Sequence, residues 1–512
     1  MEFHWPRAAL VFMAVTGLAG CPGPDPDPGP APGPPSTPQS LCAALGNQTI
    51  ATPEGAAIVT TTQLIAATSD QPEYCRVPGS MAPSLQFEVR LPTTWNSRLL
   101  YLGGGGFDGA IPQPPGYQAS LGYVTVASDG GHTATGDESW AYDAEKLNDY
   151  AYRSTHKTML AARALVQQRY GRAASRAFFE GCSNGGREAL IQAQRYPEDF
   201  DGIIARAPAW NFAELMLAGN KNTKQFFGAP ANALSPAKTA TLSQAVLAAC
   251  DTLDNVADGI ISNPAACTFN PATLRCTGAD SNSCLTDAQI ATVNTSYSVY
   301  RFSNNVPYYI GWPAGGESDP AGWAVWNATP FDGLPSFSTR FIRSFLLQDP
   351  NYDVMNFVPE NHLPIIANRA ALIDASSTDY SAFRARGGKL MLWHGTNDWA
   401  ISFNSTALYY NNVVAAAGGQ MAADQFVEFF PAPGVQHCFG GAGPDFVDLL
   451  PALQTWVEGG APPSQQNLSI LKFTLNPFAI TNVRPLCKFP RYPRYNGTGN
   501  PVAAASYTCA LP

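Results

Sequence analysis

The chain has 512 residues, with 30 Lys and Arg against 39 Asp and Glu and a formal net charge of −9 at pH 7. This acidic balance, without any run rich in lysine or arginine, excludes nucleic acid as a partner. The length exceeds a single small core, so two domains, or one large domain carrying an insertion, are expected.

Residues 1–21 read as a targeting segment of the lipoprotein signal-peptide type. Arg7 precedes an apolar stretch, Ala8 to Val15, that is too short to span a bilayer. It ends in Leu18-Ala19-Gly20-Cys21, which resembles a bacterial lipobox, so Cys21 is the expected lipidation site and mature N-terminus. An ordinary signal peptide is the alternative, and both readings predict export. The expected location is the outer membrane or cell surface, otherwise the periplasm or medium. Residues 22–40 are almost half proline and are expected to form an extended linker. Any membrane contact would then run only through the N-terminal lipid.

The folded part is expected from residue 41. Leu85 to Leu91 alternates at period two, as a half-exposed strand does. Arg98 to Leu102 and Tyr123 to Ala127 read as further strands, and Asp143 to Tyr170 as a helix. Arg176 to Glu180 is a short buried strand, and Arg187 to Arg195 a helix ended by Tyr196-Pro197. Strands alternating with helices indicate a largely parallel α/β sheet. Residues 41–209 form its first part. From 210 to 380 the rhythm is lost among aromatics, Asn, Ser and Pro, which marks an inserted domain. Residues 381–512 resume the sheet with Lys389 to Trp393 and Phe426 to Phe430.

Between the strand at 176–180 and the helix after it lies Gly181-Cys182-Ser183-Asn184-Gly185-Gly186. G-x-S-x-G on a strand-to-helix turn exposes a serine hydroxyl beside helix N–H groups, and only glycines leave room for the neighbouring backbone. A serine nucleophile needs a base and an orienting acid, in the chain order Ser, acid, His. Asp398 sits in the turn after a late strand, and His437 is the one histidine that follows it. Elimination gives Ser183, Asp398 and His437. The oxyanion hole is expected from the N–H of Asn184 and one donor within Gly103 to Gly106.

Eleven cysteines less Cys21 leave ten, enough for five bridges and no free thiol in an exported protein. Cys182 precedes the nucleophile and Cys438 follows the base, so a bond between them is possible if Ser183 and His437 meet. The alternative is a buried Cys182, with Cys438 paired elsewhere.

The elbow Gly-Cys-Ser-Asn-Gly-Gly-Arg-Glu-Ala, the later Asp and the His-Cys pair resemble the tannase and feruloyl esterase family, which also includes a hydrolase of mono(2-hydroxyethyl) terephthalate. The similarity runs from about Cys42 to the C-terminus. It implies an α/β-hydrolase fold with a large inserted lid domain, and an ester of an aromatic acid as substrate. It also implies the bridges Cys182–Cys438, Cys42–Cys75, Cys250–Cys267, Cys276–Cys284 and Cys487–Cys509, and points to Gly106 as the second oxyanion donor.

In the insertion, Asp251, Asp254 and Asp258 stand in one short loop with glycine, a pattern suited to a hard cation. The resemblance makes this a structural calcium site, with Val256 and Ile260 contributing carbonyls; a solvated acidic loop is the alternative. No organic cofactor is implied. For the substrate, Trp312, Trp323, Trp326, Phe337 and Phe341 of the insertion, and Trp399 and Ile401 after Asp398, are available. Similarity to the lid of the terephthalate half-ester hydrolase selects Phe337 and Ser338 beside Trp399 and Ile401. The arginine that binds the free carboxylate there falls near Gly333 here, leaving Arg340 or Arg343 to replace it.

These features predict a secreted serine carboxylic ester hydrolase that forms an acyl-enzyme with feruloyl, other hydroxycinnamoyl or galloyl esters. The alternatives are hydrolysis of mono(2-hydroxyethyl) terephthalate, or non-catalytic binding of aromatic ligands by a surface-tethered protein.

Overall fold

The β-branched and aromatic runs of the sequence assemble into one sheet of eleven strands in a computed structural model that describes residues 37–133, 138–327 and 329–512. In chain order the strands are β1 (Gln48–Thr52), β2 (Gly55–Val59), β3 (Gln63–Ile65), β4 (Tyr74–Met81), β5 (Leu85–Pro92) and β6 (Arg98–Leu102). There follow β7 (Val124–Ser128), β8 (Arg176–Cys182), β9 (Gly202–Arg206), β10 (Lys389–Gly395) and β11 (Val427–Ala432). The spatial order is β1-β2-β4-β5-β7-β6-β8-β9-β10-β11, with β3 on β4. Pairing is antiparallel up to β5–β7 and parallel from β7–β6 onward. Parallel neighbours need crossovers, supplied by the helices Ser154–Tyr170, Asn184–Arg195 and Phe403–Ala416. All residues of β7 and β11 are buried, as expected of strands covered on both faces.

The targeting segment 1–21, the expected lipidation site Cys21 and residues 22–36 of the linker lie outside the described residues. The rest of the expected linker is shorter than its composition suggests, because a helix begins at Pro38 and carries Cys42, bonded to Cys75 of β4. Residues 38–512 form one compact unit.

Two expectations need correction. Strand β5 is not half-exposed: Glu88 on its polar face is buried, held by Arg76 at 2.6 Å and Arg90 at 2.8 Å. The segment 143–170 is not one regular helix. Asp143 caps it by accepting from the N–H groups of Glu145 and Lys146, and a π-turn over Asp149–Arg153 interrupts it before the long helix. Such turns are common where local geometry is specialised, and this one brings the Tyr150 hydroxyl to Gly106 O and Asn184 Oδ1, beside Ser183.

Between β9 and β10 the chain makes a long excursion without adding a strand to the sheet. Its helices Phe212–Phe227, Gly333–Arg340 and Leu363–Ile373 share one apolar cluster, which also takes in Phe107 and Tyr150 from the first part and Trp399 to Ile401 from the second. The excursion is thereby seated over the segments that follow β6, β7 and β10.

Candidate active site

Strand β8 delivers Ser183 with φ 65° and ψ −121°, left-handed backbone that a non-glycine residue adopts only when its surroundings enforce it. Here the enforcement is close packing. A Cβ on Gly181 would lie 2.5 Å from the carbonyl oxygen of Gly185, and one on Gly185 would lie 2.6 Å from that of Gly104. The Ser183 N–H donates to Arg206 O at 3.0 Å, and its carbonyl accepts from Arg187 N at 3.1 Å. The helix therefore starts at Asn184, three residues earlier than the sequence suggests.

The glycine loop after β6 is tied to this elbow. Gly103 N donates to Glu180 O at 2.9 Å and Gly104 N to Glu188 Oε2 at 3.0 Å. The Asn184 side chain donates to Asp108 Oδ1 and accepts from the Tyr150 hydroxyl at 3.2 Å and from Arg187 Nε at 2.7 Å. Arg187, fully buried, also donates to the carbonyls of Tyr150, Ala151 and Ile373. It thereby joins the elbow to the π-turn and to the last helix of the insertion. Asp108 and Tyr150 had no local motif to give them away, and Arg187, although within the elbow motif, has partners in Tyr150, Ala151 and Ile373 that no local pattern marks.

Asp398, in the turn after β10, is buried. Its Oδ1 accepts from the N–H groups of Ala400 at 2.8 Å and Ile401 at 2.9 Å, and its Oδ2 lies 2.7 Å from His437 Nδ1. A second buried histidine, His394, places Nε2 3.1 Å from the same oxygen. Burial pushes the Asp398 carboxyl up, but the His437 charge and the hydrogen bonds from both histidines outweigh it and hold the group well below the usual range. The Cys182–Cys438 disulfide brings the chains carrying Ser183 and His437 together, with Cα atoms 6.1 Å apart across a sequence separation of 256.

Ser183, His437, Asn184, Gly105 and Gly106 open onto one cavity of about 300 Å³. The remaining wall is apolar and includes Phe212, Met216, Trp326, Leu334, Phe337 and Ile401. Phe337 lies over Gly106, and the Trp326 ring stands edge-on to His437 at 5.1 Å. Two expected pocket residues are elsewhere. Ser338 is fully buried and donates to Pro335 O at 3.0 Å; the Trp399 indole donates to Gly315 O at 3.0 Å and packs against Trp323. No lysine or arginine lines the cavity among the described residues. Arg340 is engaged by Glu138 at 2.7 Å behind Phe107 and Phe337, and Arg343 donates to Tyr352 O. Gly333 has φ +57°, and a Cβ there would lie 2.4 Å from Val325 O, so no arginine fits this backbone.

The five disulfides join the pairs that the family resemblance implies. Such bonds persist in oxidising, extracytoplasmic compartments. Among the described residues no helix is long and apolar enough to cross a membrane.

In the acidic loop, Asp251 accepts from Gly259 N at 3.1 and 3.0 Å, and Asp258 Oδ2 from Arg484 Nη2 at 2.5 Å. The N–H groups of Val256 and Ile260 donate to Asp254 and Asp258. Asp254 Oδ2 is buried and makes no hydrogen bond by distance and angle among the described residues; burial outweighs the polar contacts of Ser262 and Val256 N–H and, with the charges of Asp258 and Asp251, pushes the carboxyl up to about 6. An orphaned carboxylate oxygen among two further carboxylates fits a hard cation. The one grouping of three ligand atoms within 4.8 Å among the described residues is Cys276, Asp280 and Cys284. Its sulfurs form a disulfide and its carboxylate pairs with Lys238.

Residues 68–510 match the family described as tannase and feruloyl esterase. The mono(2-hydroxyethyl) terephthalate hydrolase of Piscinibacter sakaiensis is 31% identical, over 93% of this chain and 93% of its own. The probable feruloyl esterase B-2 of Aspergillus terreus is 31% identical over 86% of each chain. The crystal structure of feruloyl esterase B from Aspergillus oryzae superposes with a TM-score of 0.83 at 26% identity, covering 93% of this chain and 100% of that one.

Proposed function

This chain belongs to the tannase and feruloyl esterase family and is a carboxylic ester hydrolase; on that premise we propose that it is an exported serine esterase for uncharged aromatic acyl groups. The carrying observation is the convergence of Ser183, His437 and the glycine loop on an apolar cavity that no lysine or arginine lines among the described residues.

In this reading Ser183 Oγ attacks the ester carbonyl carbon while His437 Nε2 takes its proton. Asp398 holds the imidazole by Nδ1 and stabilises its charged form. The N–H groups of Asn184 and Gly106 receive the oxyanion. The carbonyl re-forms as the bond to the alcohol oxygen breaks, and His437 returns the proton to that oxygen. Water, deprotonated by His437, then attacks the acyl carbon, and the bond from that carbon to Ser183 Oγ breaks as His437 returns the proton to that oxygen, releasing the acid. Feruloyl, other hydroxycinnamoyl and galloyl groups carry a flat ring suited to the walls of Phe337, Trp326 and Phe212.

A terephthalate half-ester would bring a second, ionised carboxylate into an apolar wall, which is costly without a paired cation. The comparison of kcat/KM on methyl ferulate, methyl gallate and mono(2-hydroxyethyl) terephthalate tests this, with the third at least about tenfold below the better of the others. A preference for the half-ester would overturn the acyl-group assignment. Ser183→Ala should abolish turnover on all three while the protein stays folded, and substantial residual turnover would overturn the nucleophile and restore the non-catalytic binder as the reading.

The cation loop would hold calcium through Asp251, Asp254 and Asp258 and the carbonyls of Val256 and Ile260, compensating buried carboxylates and taking no part in ester cleavage. Lipidation of Cys21 would tether the protein at a membrane surface; a diacylglyceryl mass on the mature N-terminus checks it.

A further inference from the structure

A second cavity, about 320 Å³, lies in the insertion on the far side of the one-turn helix Trp323–Trp326. Trp326 of that helix lines the catalytic cavity, whereas Trp323 lines this one. Its walls include the rings of Phe226 and Phe227 and the side chain of Leu234. Against them stand three buried polar groups: Glu317 at 0% exposure, Trp323 at 4% and Asn327 at 5%. Among the described residues, Trp323 Nε1, Glu317 Oε2 and both amide atoms of Asn327 make no hydrogen bond.

Four polar atoms without a protein partner around one void are unusual, since buried polar groups are nearly always partnered. Glu317 is fixed by its other oxygen, Oε1, which accepts from the Tyr297 hydroxyl at 2.5 Å and from Gly315 N at 2.7 Å. The second oxygen is therefore held at the void. We propose that this cavity is a binding site for a small neutral hydroxylated aromatic, a phenol-class molecule, whose ring lies against Phe226 and Phe227 and whose hydroxyl meets Glu317, Trp323 and Asn327.

A hydroxyl is both donor and acceptor, which answers a cluster containing an indole N–H, an amide and a carboxyl. The volume suits one ring with its substituents. Burial holds the Glu317 carboxyl above its usual range, and no lysine or arginine lines this cavity among the described residues, so a carboxylic acid or phenolate ligand would meet no positive partner. This excludes the ionised acid product of ester cleavage and favours an uncharged phenol. The site is independent of the proposed acyl-group specificity.

The test is a crystal of the full chain soaked in 4-bromophenol and read by bromine anomalous scattering, paired with calorimetric titration in solution. The expected result is a bromine peak between Phe226 and Trp323, with the phenol oxygen within hydrogen-bond distance of Asn327 or Glu317. Asn327→Leu should weaken the solution affinity at least about tenfold, the effect of leaving a ligand hydroxyl unpaired in a buried site. Ordered waters alone in this cavity, or bromine confined to the catalytic cavity beside Ser183, would overturn the proposal even if Asn327→Leu failed to fold. So would an unchanged affinity in a folded Asn327→Leu protein. Because the catalytic cavity is resolved separately in the same map, failure here leaves the esterase reading untouched.

Discussion

His394 Nε2 stands 3.1 Å from Asp398 Oδ2, the oxygen that His437 Nδ1 reaches at 2.7 Å. The same Nε2 faces the carbonyl of Ile401 at 3.1 Å, and Nδ1 faces the Thr406 hydroxyl at 2.8 Å. Two acceptors at Nε2 assign the proton to that nitrogen, so His394 donates to the carboxylate. It fixes the direction in which Asp398 presents its charge to His437.

His394→Phe keeps a ring of similar size and deletes that donor. The expected outcome is a fall in kcat of about tenfold or more with little change in KM, since small misplacements at a reacting centre are costly. Steady-state kinetics on methyl ferulate checks it. A kcat equal to wild type would show that the two N–H donors from Ala400 and Ile401 suffice to orient Asp398.

Asp108 lies on the other side of Ser183, the proposed nucleophile. Its Oδ1 accepts from the Asn184 side chain, and Asn184 also reaches Glu188 Oε1 at 3.4 Å, while Glu188 Oε2 holds Gly104 N. Burial first, and the Glu188 charge second, push the Asp108 carboxyl up. The cluster clamps the glycine loop to the residue after the nucleophile. Asp108→Ala should lower kcat by about 10- to 100-fold through the oxyanion donors, with KM changing far less. A parallel rise in KM with kcat intact would make Asp108 a pocket-shaping residue instead.

The convergence of Ser183, Asp398 and His437, the proposed triad, could be anticipated because each stands after a strand, where a short motif and chain order point to it. Phe337 and Ile401 reach the cavity as expected, but Ser338 does not, since successive residues of a helix point about 100° apart and cannot share one face. Trp399 fails for another reason: its indole is drawn to Gly315 O, a contact made by the folded insertion. Arg187 and Tyr150 were illegible because their partners lie far away in sequence, up to 186 residues for Arg187 and Ile373. The insertion's helices carry no alternation that would tell a core aromatic from a wall aromatic. Trp323 and Trp326 sit on one turn and face different cavities.

Calcium should act on stability alone. A ligand that binds only the folded state at a hundred times its Kd contributes about 2.7 kcal/mol, and Asp254 Oδ2 has no other partner. Thermal melts at pH 7.5 should show a higher Tm in millimolar calcium than in excess EGTA. Asp254→Asn should remove most of that difference, leaving kcat on methyl ferulate unchanged. Identical melts of the wild-type protein in calcium and in EGTA would reduce the loop to a solvated acidic turn held by Arg484.

Asp129 gives a pH dependence whose sign is fixed by its surroundings. Its Oδ1 accepts from Gln86 N and Gly131 N at 3.0 Å each, but its Oδ2 is buried and unpartnered. Burial dominates over those hydrogen bonds and pushes the carboxyl up to about 6 from 3.8. The folded state therefore holds the proton more tightly than the unfolded chain. The resulting stabilisation is complete below about pH 4 and is lost as pH rises to about 6. A displacement of about two pH units at 1.36 kcal/mol each corresponds to about 3 kcal/mol. Asp129→Asn cannot ionise, so its stability relative to wild type should rise by about that amount between pH 4 and pH 7 in denaturant titrations. A constant difference between the two proteins across that range would mean that water reaches Oδ2 and that the carboxyl titrates in the ordinary range.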